Sequence, residues 1–134
     1  MKPSRVLETC LYVDDLEAAE EFYRDVIGLT FYAKVPGRHV FFRCGDGMVL
    51  LFNPDVTRQS TPPLFSPHGT VGDGHVAFHM TPDEIDGWRD HLEGHGIEIE
   101  QEFTWPGGGV SIYFRDPDGN SLEVATPQVW EMEK

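Results

Sequence analysis

Cysteine is scarce, with two residues, Cys10 and Cys44, in a chain of 134. Both lie inside apolar, strand-like runs, a placement that suits buried reduced thiols and argues against a disulfide framework. Basic residues are also few, 10 Lys and Arg against 23 Asp and Glu, for a formal charge of −13. Nucleic-acid binding draws most of its affinity from cations that neutralise phosphates, and these scattered bases form no stripe. A polyanion partner is therefore not expected, although a negative field would attract a cationic small molecule. No apolar run is long enough to span a bilayer. Glu8, Asp14 and Asp15 interrupt the segment that follows the basic N-terminus, which is unlike a signal peptide. The expected location is the cytoplasm. A nucleophile elbow, a Walker loop and a Rossmann glycine fingerprint are all missing, so acyl transfer, nucleotide hydrolysis and dinucleotide binding have no support.

What is present is a chain of ordinary single-domain length whose pattern runs twice. Residues 6–13 read as a strand rich in apolar and β-branched residues. A helix is expected over 16–27, with Asp14 and Glu17 at capping-box spacing and Leu16, Ala19, Phe22, Tyr23, Val26 and Ile27 on one stripe. Gly28 ends it. Strands over 29–35, 39–44 and 48–53 follow, separated by Pro36-Gly37 and by Gly45-Asp46-Gly47. Residues 55–73 then read as a long linking loop. A strand over 74–80 restarts the pattern. Thr81-Pro82-Asp83-Glu84 opens a second helix with Ile85, Trp88 and Leu92 inward. Strands over 97–104, 110–114 and 121–125 complete it. The expected class is α+β, with two tandem βαβββ modules, 5–54 and 74–127, forming a curled mixed sheet around a concave cavity.

The strongest turn signal is Asp116-Pro117-Asp118-Gly119-Asn120, where Pro fixes one φ and Gly supplies a positive one. In the strand after it, alternation sends Glu123 to the face that Leu122 and Val124 do not use. The same parity puts His75 and His79 opposite Val76, Phe78 and Met80, and Glu8 opposite Leu7 and Leu11. Helices cover the apolar sheet faces, so Glu8, His75 and Glu123 are expected on the concave side. One imidazole and two carboxylates there would suit a divalent metal. In the first unit the position matching Glu123 falls on Leu50 or Leu51, depending on whether the units are aligned on the prolines or on the Asp-Gly pairs.

The stretches LETCLYVDDLEAAEEFYRDVIGL, GHVAFHM and FRDPDGNSLEV together resemble the vicinal oxygen chelate superfamily, also called the glyoxalase, bleomycin-resistance and dioxygenase superfamily. The resemblance covers essentially the whole chain. It implies metal ligands at Glu8, His75 and Glu123, with Glu8 standing where family members carry His or Gln, and with no carboxylate at the fourth-strand position. That pattern is more like the fosfomycin-resistance thiol transferases and extradiol dioxygenases than glyoxalase I. The implied cofactor is a divalent ion, Zn, Mn, Fe or Ni. The implied activity is that of a lyase, isomerase, thiol transferase or dioxygenase type of enzyme, chelating a small substrate through neighbouring oxygens. Glu123 or Glu8 would move a proton, and His79, Tyr12 and Trp105 would contact the substrate. The resemblance also implies a homodimer with cavities drawn from both subunits. The competing reading is a metal-free binding protein of the bleomycin-resistance kind, which sequesters a small ligand.

Overall fold

The computed structural model describes residues 1–61 and 65–133. The chain divides into two compact units, Met1–Gly74 and His75–Lys134. The first holds β1 (Glu8–Tyr12), α1 (Leu16–Asp25), β2 (Thr30–Val35), β3 (His39–Cys44), β4 (Gly47–Phe52) and α2 (Pro54–Thr57). The second holds β5 (His75–His79), a short 3-10 turn (Pro82–Glu84), α3 (Ile85–Gly94), β6 (Gln101–Thr104), β7 (Val110–Arg115), β8 (Ser121–Ala125) and a closing 3-10 turn (Pro127–Trp130). The strands form two four-stranded sheets, β1-β4-β3-β2 and β5-β8-β7-β6, one in each of the two expected modules. Each is mixed, because its leading strand lies parallel to its last strand and the other pairs are antiparallel.

The first core follows from the apolar stripe of α1. Ala19, Phe22 and Tyr23 are buried together with the alternate sheet residues Leu11, Val40, Phe42, Val49 and Leu51, and the Tyr23 and Phe42 rings lie 6.3 Å apart. The helix is capped by Asp15, whose carboxylate accepts from the Ala18 N–H at 3.0 Å, and not by Asp14. Two adjacent aspartates make the choice invisible to spacing alone, since either can reach an orphan N–H of the first turn. In the second unit Met80, Leu92, Ile112, Phe114, Leu122 and Val124 form the buried set. There the expected capping residues hold, with the Thr81 N–H donating to Glu84 Oε2 at 2.9 Å. Of the three residues expected inward on α3, Leu92 is fully buried while Ile85 and Trp88 are half-buried.

Other differences are local. The linking segment is not all loop: Asn53 caps α2, its side chain accepting from the Asp55 N–H at 3.0 Å, with Pro54 at the first helical position. Residues 62–64 of the expected loop lie outside the described residues. Residues 97–100 are not strand, and β6 begins only at Gln101. Cys10 is exposed rather than buried, because it shares the open face of β1 with Glu8; both cysteines are free. No helix among the described residues is long and apolar enough to cross a membrane.

Candidate functional site

The turn before β8 sets the site's register. Gly119, at φ 92°, donates its N–H to the Asp116 carbonyl at 3.1 Å. The buried Asp116 carboxylate accepts from the Asp118 N–H at 2.9 Å, the Asn120 N–H at 2.8 Å and the Asn120 side-chain amide at 2.9 Å. A carboxylate that bonds the backbone of its own turn fixes the loop length and so the pairing that follows. That pairing sets Glu123 opposite Ala77 of β5 on one side and Tyr113 of β7 on the other.

Three rows of side chains result on the face away from the buried set. His75, Ser121 and Arg115 form the first, Ala77, Glu123, Tyr113 and Gln101 the second, and His79, Ala125, Ser111 and Phe103 the third. His75 and Glu123 meet across the first two, Nε2 to Oε2 at 3.4 Å. The carboxylate side chain is 10% exposed and the imidazole 50% exposed, so the pair opens on the imidazole side. The other imidazole nitrogen, Nδ1, lies 2.9 Å from the Ser121 carbonyl. A carbonyl only accepts, so Nδ1 carries a proton, and the neutral tautomer that this bond selects has its lone pair on Nε2.

Tyr113 stands beside both groups. Its ring stacks at 6.4 Å from that of His75. Burial pushes its phenol up; a hydrogen bond with Ser111 opposes this, and the charge and hydrogen bonding of Glu123 push it up further. Sequence reasoning missed Tyr113, although the alternation Val110, Ile112, Phe114 against Ser111, Tyr113, Arg115 marks its face.

The other expected site residues separate by unit. His79 lies exposed on the face of His75, paired opposite Ala125. The Trp105 indole N–H donates to Ser111 Oγ at 2.9 Å, and its ring meets Phe103 edge-on at 4.9 Å, so this residue anchors the Gly-rich turn as well as facing solvent. Glu8 and Tyr12 belong to the first unit, both on the face of β1 opposite Leu11. Tyr12 is held by His68, its hydroxyl 2.6 Å from Nδ1. Among the described residues no three His, Cys, Asp or Glu side chains converge as a metal-binding group. The His75 and Glu123 pair is thus two of the three expected ligands.

The ladders also settle which residue of the first unit matches Glu123. In β5 and β8, the residue two beyond His75 pairs with Glu123. In β1 and β4, the residue two beyond Glu8 is Cys10, which pairs with Leu50. Leu50 therefore holds the matching rung and Leu51 faces the core. Arg115, in the first row, forms two bonds with Glu100, at 2.7 and 3.1 Å, and donates to the Gly119 carbonyl at 3.0 Å.

Residues 5–124 match the family model of the Glyoxalase/Bleomycin resistance protein/Dioxygenase superfamily. The chain is 32% identical over 114 residues to the glutathione transferase FosA of Serratia marcescens, covering 85% of this chain and 74% of that protein. It is 27% identical over 122 residues to the metallothiol transferase FosB of Bacillus licheniformis, covering 89% and 73%. A crystal structure of a lactoylglutathione lyase from Agrobacterium tumefaciens matches with a TM-score of 0.94 and 44% identity, over 98% of this chain and all of that one.

Proposed function

Since the chain belongs to the Glyoxalase/Bleomycin resistance protein/Dioxygenase superfamily, we propose that it is a divalent-metal-dependent enzyme of thiol-transferase or lyase type acting on a small oxygenated molecule. The observation that carries this reading is the pairing of His75 Nε2 with Glu123 Oε2 at 3.4 Å. Two donors each about 2.1 Å from one ion at a tetrahedral angle are themselves about 3.4 Å apart. The far N–H of the imidazole is held by a carbonyl, the usual support of a ligating histidine, and the neutral tautomer so selected would offer Nε2 to an ion. The donor set, one nitrogen and one carboxylate oxygen, fits Zn, Mn, Fe or Ni without selecting among them. The names of the relatives, a metallothiol transferase, a glutathione transferase and a lactoylglutathione lyase, support the same class of chemistry.

In this reading a bound ion supplies Lewis acidity to substrate oxygens. The protein's own residues do the rest. His75 stays fixed by the Ser121 carbonyl. Glu123, buried on all but its imidazole side and flanked by Tyr113, takes up or returns a substrate proton at its carboxylate oxygen. His79 lines the approach. Glu8 is the third ligand, contributed within a homodimer whose cavities draw on both chains. Mixing Glu8→Ala protein with His75→Ala protein tests this arrangement. Shared cavities regenerate one complete metal site per mixed dimer, whereas sites built within single chains stay empty in every combination.

Leu50 favours a second reading, a metal-free protein that binds a small ligand, because an apolar residue holds the rung where the second unit has its carboxylate. Elemental analysis of protein purified without chelator separates the two. Stoichiometric metal that is lost in His75→Ala and Glu123→Ala supports the enzyme; metal-free protein with unchanged stability in chelator refutes it.

A further inference from the structure

The sheet face of the first unit that bears Glu8 and Tyr12 carries a second cluster, centred on the ring of Phe52 at the end of β4. Around that ring, His68 stands edge-on at 4.7 Å, Phe41 at 5.5 Å and His39 at 5.9 Å, with Tyr12 tilted at 6.4 Å. The Arg38 guanidinium lies 5.8 Å from the same ring and 4.7 Å from that of Phe65. The register explains the gathering, since Tyr12 and His39 both pair with Phe52 from opposite sides.

The hydrogen-bonding inventory of this cluster leans toward donors. Arg38 Nη1 lies 2.6 Å from His39 Nδ1, and a guanidinium has no acceptor, so that nitrogen accepts and the neutral ring carries its proton on Nε2. Burial first and the Arg38 charge second lower the pKa of His39, which keeps this tautomer populated. The Tyr12 hydroxyl lies 2.6 Å from His68 Nδ1, which engages that nitrogen and leaves the Nε2 edge of the ring as the one turned to a ligand. The His39 acceptor is thereby used within the cluster. What remains to be offered is the other guanidinium N–H groups, the His39 Nε2–H and the Nε2 edge of His68.

Arg38 is also without a carboxylate partner among the described residues, in a chain where acids outnumber bases 23 to 10. Arg24, Lys34, Arg58, Arg89 and Arg115 each have one. The backbone that carries these donors is pinned. Arg38 N–H donates to the Val35 carbonyl at 3.0 Å, the Arg38 carbonyl accepts from Asn53 at 2.8 Å, and His68 N–H donates to the Thr57 carbonyl at 3.2 Å. A cation and the His39 N–H, fixed beside aromatic rings with the His68 ring edge next to them, match an anion joined to a flat apolar body.

We infer that Arg38, His39 and His68 form a binding subsite for a carboxylate carried on a planar, apolar group. This goes beyond the proposed metal chemistry and requires no metal. It is tested on chelator-treated full-length protein, so that its outcome is independent of the His75 and Glu123 reading. Benzoate is titrated against acetate and the neutral benzamide while the ring-proton NMR signals of His39 and His68 are followed. The expected result is saturable shifts of both histidines with benzoate, weaker binding of acetate, and none of benzamide. Arg38→Gln should weaken benzoate about tenfold or more. His68→Phe, which keeps a ring against Phe52 but removes the ring nitrogens, should weaken it as well, so the proposal stays testable if one variant fails to fold. Benzamide binding as tightly as benzoate, or full benzoate affinity in both variants, would overturn the assignment.

Discussion

Replacing Asp116 by alanine tests whether a single buried carboxylate sets the register on which the candidate site depends. In the native turn this group accepts three hydrogen bonds, from the Asp118 N–H and from both the backbone and side-chain N–H of Asn120. Asp118 is half-buried, so water can replace the lost acceptor there, whereas Asn120 is only 2% exposed and its two donors lose Asp116 without gaining solvent. At about 1–3 kcal/mol for each buried donor left unsatisfied, the substitution should cost about 3 kcal/mol. For a chain of 134 residues that is a fall in thermal midpoint of about 10 °C. Asp116→Asn keeps one acceptor oxygen and should lose about half as much. Paired thermal and urea unfolding of the two variants measures both, with the urea slope unchanged if only stability has moved. A loss below about 1 kcal/mol in Asp116→Ala would refute the reasoning, since it would mean that the turn holds its length without its carboxylate.

Further outcomes follow from other parts of the structure. Burial first, then the hydrogen bond with Cys10, raises the Tyr12 pKa to about 12; an ultraviolet titration should therefore show a phenolate step near that pH that Tyr12→Phe lacks. Because the folded value lies above the ordinary 10, the stabilisation is complete below pH 10 and is lost as the pH climbs toward 12, which alkaline unfolding of the two proteins can measure. Arg38→Gln should bring the pKa of His39 back up, seen as a higher NMR titration midpoint, because one of its two depressing influences is the guanidinium charge. A Cβ at Gly109 would overlap the Val129 backbone and side chain, so Gly109→Ala should cost about 1–3 kcal/mol in urea unfolding. Glu100→Gln, which breaks an exposed pair with Arg115, should lower stability only slightly in urea unfolding, and by less still at high salt.

The parts of the chain legible in its sequence are those where periodicity and turn chemistry agree. Strand limits at β3 and β8 coincide with the expected ones, and Asp116 to Asn120 forms the expected hairpin turn. Alternation alone put His75 and Glu123 on one face, and the ladder brings them together. Contacts made across long separations were not legible. The bond from Tyr12 to His68 spans 56 residues and depends on how α2 turns the chain back, which no local pattern encodes. The bond from Arg115 to Glu100, 15 residues away, likewise joins two segments that no local pattern pairs. The choice between Leu50 and Leu51 needed the observed pairing, since two plausible anchors in the sequence differ by one residue.

The Ser121 carbonyl that orients His75 is part of the main chain, and no side-chain substitution can delete it. As long as β5 and β8 stay zipped together, Nδ1 keeps its acceptor and the ring keeps its orientation. Neighbouring positions can then diverge to admit new small molecules while this one nitrogen keeps its aim, so changes in substrate preference need not begin by rebuilding the histidine.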